Sequence, residues 1–142
     1  MIILTNTVSQ ELAPGQSLTF NLKVLHTGKC ECFREGSGAV ILGQRNAIYD
    51  VDFSANIGAD AAAGVAQLAI ASNSSPLIET TMISTTAAVG DLNNVAKHTA
   101  VKTCCCGPES ITIVNTGETT VIVENPSLFI RRLPYRVENN AR

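Results

Sequence analysis

The chain has 142 residues, of which 45% are apolar and only 15% charged, with a formal net charge of −2. At 15.0 kDa this is one domain's worth of sequence, and so little charge argues against disorder and against a fully solvated surface, so part of that surface is expected to be covered in an assembly. No basic run offers a phosphate-tracking groove, which removes nucleic acid as an expected partner. No apolar stretch approaches the roughly 20 residues of a membrane-crossing helix, which removes the membrane as well.

Met1 to Asn6 carries neither a basic leader nor an apolar stretch of signal-peptide length, so no classical signal peptide is expected. Beyond it, apolar residues alternate or run in short blocks and seldom recur at helical spacing. Val, Ile and Thr are abundant, while aromatics stand at 4% with no Trp. This composition predicts an all-β chain. The expected strands, in order, are Ile2 to Leu4, Ser17 to Leu25, Ala39 to Leu42, Ala47 to Ile57, Gly64 to Ala71, Leu77 to Ser84, Val95 to Cys105, Ser110 to Val114, Thr120 to Val123 and Ser127 to Leu133. About ten short strands in one domain over 1–142 suit a β-sandwich. Reversals are marked by Pro14-Gly15, Gly36 to Gly38, Asn73 to Pro76, Gly107-Pro108 and Asn115 to Glu118, the last read as a hairpin. The Ala59 to Ala63 piece is too short for a helix and reads as a loop, and the polar tail over 136–142 is expected to fray. Alternation assigns Tyr49, Val51, Phe53, Leu68, Ile70, Ile111, Ile113 and Phe129 to the core.

The order Tyr49 to Ser54 (Y-x-V-x-F), Gln67 to Ile70, Gly90 to Asn94, Ser110 to Asn115 and Ser127 to Leu133 resembles the C1q/TNF-like jelly roll. It is similar in particular to the bacterial and phage branch that includes the heads of collagen-like spore-surface glycoproteins. The similarity spans about residues 2–133, without the Gly-X-Y stalk of the collagen-bearing members. The resemblance implies a compact homotrimer about a threefold axis, with the outer face of the inner sheet buried between subunits. It also implies a non-enzymatic building block of a phage particle or of a bacterial spore surface or appendage, with adhesion to a glycan or receptor among its roles. The alternative is a carbohydrate-binding, lectin-like module, although a chain with no Trp and two Tyr has few stacking platforms.

Two groups of residues invite chemistry. Asp50 and Asp52 flank Val51 and share the side away from the core. At a threefold axis they would need basic partners or a cation such as calcium, and the resemblance places Arg131, Arg132, Lys97 and Lys102 in strands of the same sheet. Two solvated acids are the plainer reading, and a glycosidase pair fits poorly because acids two apart project side by side. The cysteines form two clusters, Cys30 with Cys32 and Cys104 with Cys105 and Cys106, open to three readings: reduced thiols at the rim, disulfides, or a four-thiolate zinc site without the usual C-x2-C spacing. His26 and His98 lie in no catalytic motif and read as ordinary surface or rim residues. No cofactor is expected beyond such a structural zinc or calcium.

Overall fold

The computed structural model describes residues 1–60, 64–105 and 108–136. Its strands are β1 (Ile2–Thr5), β2 (Gln10–Leu12), β3 (Leu22–His26), β4 (Glu31–Phe33), β5 (Val40–Leu42), β6 (Ala47–Ala59), β7 (Val65–Ser72), β8 (Ser75–Pro76), β9 (Met82–Thr85), β10 (Asn93–Lys102), β11 (Glu109–Asn115) and β12 (Val121–Arg136). One 3-10 turn, Ile78–Thr80, interrupts the stretch read as a single strand from Leu77 to Ser84. The strands form two antiparallel sheets. The first runs β10-β6-β12-β1-β3, with β2 also on β12, and the second runs β4-β5-β11-β7-β8, with β9 on the other half of β7.

The core lies between them and follows from alternation. Along β6, Tyr49, Val51, Phe53, Ala55 and Ile57 are buried while the residues between them as far as Asn56 stay partly exposed, the period of two that one buried face imposes. Ile2, Leu4, Leu128 and Ile130 join them from the first sheet, and Leu68, Ile70, Ile111 and Ile113 close over them from the second. Phe129 is a correction to the expected core. Glu124 pairs with Asn56 but Ser127 pairs with Ser54, so β12 carries one residue more than β6 across this step. Asn125, with φ at 49°, and Pro126 accommodate this bulge, which moves the buried set from Val121 and Val123 to Leu128 and Ile130. Phe129 therefore faces outward, and the two expected strands over this region are one.

Asn115 to Glu118 is the second correction, because β11 and β12 belong to different sheets and this turn carries the chain across the sandwich. The Asn115 side chain organises the crossing. Its amide donates to the carbonyls of Leu12 and Thr119, and its Oδ1 accepts from Gly117 N–H. A similar crossing shortens the strand expected over Ser17 to Leu25. Leu18 N–H donates to Ile113 of the second sheet, the Asn6 and Gln10 side chains take the backbone of Asn21 and Thr19, and pairing with β1 starts only at Leu22. Gly58 is required by close approach: a Cβ there would collide with the Asp91 carbonyl in the β9–β10 connection. Of the expected loop over Ala59 to Ala63, Ala59 closes β6 and residues 61–63 lie outside the described residues. Of the expected tail, Arg136 ends β12 in register with Ala47, and 137–142 lie outside them.

Candidate functional site

Residues directly opposed on neighbouring antiparallel strands share a face, and the outer face of the first sheet can be read off its register. On β10, Ala96, His98, Ala100 and Lys102 oppose Ser54, Asp52, Asp50 and Ile48 of β6. On β12, Ser127, Phe129 and Arg131 oppose Ser54, Asp52 and Asp50. Ile3 of β1 lies beside Phe129, and Leu25 of β3 beside Ile3. Ile3, Ile48 and Phe129 are each only partly covered, and Leu25 is exposed. The centre of this face is therefore small and apolar residues around a few charges.

Asp50 sits in the middle with both oxygens engaged. Arg131 Nη2 donates to Oδ2 at 3.1 Å, and His98 Nε2 lies 3.1 Å from Oδ1. The Arg131 hydrogen bond, helped by His98 and opposed by partial desolvation, holds the carboxyl below its ordinary value. The Asp52 carboxylate, two residues on and partly covered, makes no hydrogen bond or ion pair among the described residues. It lines a shallow depression of about 370 Å³ with Ser54, Ala96, His98, Ser127 and Phe129. Of the four basic residues singled out from the sequence, Arg131 and Lys102 share this face. Lys97 and Arg132 oppose Phe53 and Tyr49, so they stand on the other side of the sheet, at its exposed margin. His98, read as an ordinary rim residue, is the group sequence reasoning missed. Alternation alone gives its side of β10, but only the β10–β6 register brings it to Asp50.

The four described cysteines lie toward one end of the sandwich. Cys30 precedes β4 and packs against the core, with its thiol 3.8 Å from Gln44 Oε1, whereas Cys32 opposes Ile41 and is exposed. Cys104 and Cys105 follow β10 and are exposed, and Cys106 lies outside the described residues. Beside them the Tyr49 hydroxyl donates to the Cys30 carbonyl at 3.2 Å, and burial pushes its pKa up to about 12. Among the described residues no three His, Cys, Asp or Glu side chains gather as metal ligands.

No family model matches the sequence, and a comparison with curated proteins finds no match either. Solved structures do match. The globular domain of the zebrafish complement 1qA protein aligns over 95% of this chain and 97% of its own, with a TM-score of 0.59 and 15% identity. The PRD1 vertex protein P5 aligns over 89% of this chain and 93% of its own, with a TM-score of 0.51 and 13% identity. The two antiparallel sheets and this likeness to the complement domain show a C1q/TNF-like jelly-roll fold. No helix among the described residues is long and apolar enough to cross a membrane.

Proposed function

We propose that this chain is a non-enzymatic structural unit that assembles as a homotrimer through the outer face of its first sheet and is displayed on a phage particle or a bacterial spore surface. One observation carries this reading: the face around Asp50 presents Ile3, Ile48 and Phe129 among Ala and Ser residues, with its central carboxylate already paired by Arg131. A face of this kind can be buried with little uncompensated charge, since Asp50 brings its own partners and only Asp52 needs one from a neighbouring subunit. Lys102, exposed on the same face, is suited to supply it. The likeness to the PRD1 vertex protein P5 supports a particle surface, and within the notion of a displayed unit it favours the phage reading. The two histidines bond to the Glu31 carbonyl and the Asp50 carboxylate, an arrangement that activates no Ser or Cys nucleophile.

Light scattering on the purified protein at micromolar concentration tests the proposal. A mass of about 45 kDa, three times the 15.0 kDa chain, is expected, with Phe129→Asp reducing it to the monomer value while the far-ultraviolet dichroism stays the same. A wild-type mass near one chain overturns it.

A further inference from the structure

Val65 and Gln67 alternate along β7 with Ala66 and Leu68, which are buried in the core, so they point out of the second sheet, away from the face that carries Asp50. The turn between β11 and β12 folds back onto them. Thr116 N–H donates to the Gln67 carbonyl at 3.3 Å, Gln67 Nε2 donates to Thr116 Oγ1 at 3.0 Å, and the Thr119 hydroxyl donates to the Val65 carbonyl. Gly117 permits this approach, since a Cβ there would stand 3.1 Å from the Gln67 Cβ. Between turn and strand lies an open crevice of about 490 Å³, lined by Gly64, Val65, Gln67 and residues 116–119. It is larger than the depression of about 370 Å³ beside Asp52 and falls within the roughly 300–1,000 Å³ of small-molecule sites.

The groups around this crevice select one kind of ligand. Thr116 Oγ1 already accepts from Gln67, so its own hydrogen is free to donate, while Gln67 Oε1 and the exposed Glu118 carboxylate accept nothing among the described residues. The Thr119 oxygen, its hydrogen spent on Val65, is a further acceptor. One donor thus stands among three acceptors, on walls tied together before any ligand arrives. Vicinal hydroxyls, each both donor and acceptor, match such a set. Among the described residues no basic or aromatic side chain lines the crevice, so an anion would meet only Glu118 and a flat heterocycle would find no ring to stack on. One exposed carboxylate is also too few charged ligands for a divalent cation. Val65 and Ile83, which opposes Gln67 on β9, are 43% and 58% exposed and offer an apolar surface to the C–H face of a sugar ring.

We propose that the crevice between β7 and the turn over residues 116–119 binds a neutral saccharide, with Thr116 donating to one ring hydroxyl and Gln67 and Glu118 accepting from its neighbours. An open crevice without an aromatic wall holds a single sugar weakly, with a dissociation constant of roughly millimolar order. Because it lies on the second sheet, assembly through the outer face of the first would leave three copies open on one particle unit, and a glycan with repeated sugars would gain from that multiplicity. Capture of one sugar needs one chain only and does not rest on the trimer.

The test is a nuclear magnetic resonance titration of the isotope-labelled full chain with glucose, galactose, mannose, N-acetylglucosamine and glucuronic acid. The expected result is saturable shifts of the amides of residues 64–67 and 116–119 with at least one neutral sugar, and weaker binding of glucuronic acid, whose carboxylate meets Glu118. Thr116→Val and Glu118→Gln each weaken the neutral sugar at least about threefold, while Glu79→Gln, in the turn before β9, leaves its affinity unchanged. Amide dispersion checks that each variant is folded. No saturable shift with any neutral sugar, shifts centred elsewhere on the molecule, glucuronic acid bound as tightly as the neutral sugars, or full affinity in both crevice variants would each overturn the proposal. A monomeric protein that binds sugar here would overturn the trimer and leave this site standing.

Discussion

Tyr49 and Phe53 stand on the buried face of β6, and each exposes a different physical cost. The Tyr49 hydroxyl is buried against the Cys30 carbonyl, and desolvation raises its pKa from 10.0 to about 12. A group whose folded pKa lies above its unfolded value stabilises the fold fully below the unfolded pKa and loses that contribution as pH rises through the folded one. The protein is therefore expected to lose stability between about pH 10 and 12, and Tyr49→Phe to flatten this slope when urea midpoints are compared across that range. Phe53 and Phe129 make a second contrast. Phe53 is 1% exposed inside the core, so Phe53→Ala is expected to cost about 3–5 kcal/mol in chemical denaturation. Phe129→Ala, on the outer face, is expected to cost about 1 kcal/mol or less in the dissociated chain and to act on assembly instead. Equal losses for the two would contradict the faces assigned to β12. Tyr49 and Phe53 were legible in the sequence because β6 alternates without interruption. Phe129 was not, because its side is set by the bulge at Asn125 and Pro126, which no periodicity announces.

Among the elements, the long strands and the short apolar ones β1 and β5 were legible, and the other short ones were not. β6, β7 and β11 were visible in the alternation of the sequence, whereas β2, β4 and β8 are only two or three residues long and carry no detectable period. The connection from Asn115 to Glu118 has the composition of a hairpin turn, and only the separation of β11 and β12 into different sheets reveals a crossing. Asn115 is the residue that makes the crossing workable, being 1% exposed and filling three hydrogen bonds. Asn115→Ala would leave the Leu12 and Thr119 carbonyls and the Gly117 N–H to find other partners, at a cost of about 2–4 kcal/mol measurable by thermal or urea unfolding. A loss below about 0.5 kcal/mol would show that the turn holds without it. The candidate face was legible to a similar extent: two carboxylates on one side of β6 can be read from spacing, but the pairing of Asp50 with His98 and Arg131 depends on strand register.

For the molecule as a whole, the position of β12 sets a condition on how the fold is reached. This strand follows the other eleven described ones in sequence, yet it lies inside the first sheet, where it pairs with β6 along one edge and with β1 and β2 along the other. Until it has left the ribosome, β6 and β1 have no common neighbour, and the apolar rows led by Tyr49 and Ile2 have no complete sheet to sit in. Local pairs such as β4 with β5 can form early, but closure of the first sheet awaits β12 and joins residues more than a hundred positions apart. The strands made before β12 therefore have open edges, exposed to wrong pairing with other nascent copies until β12 is inserted.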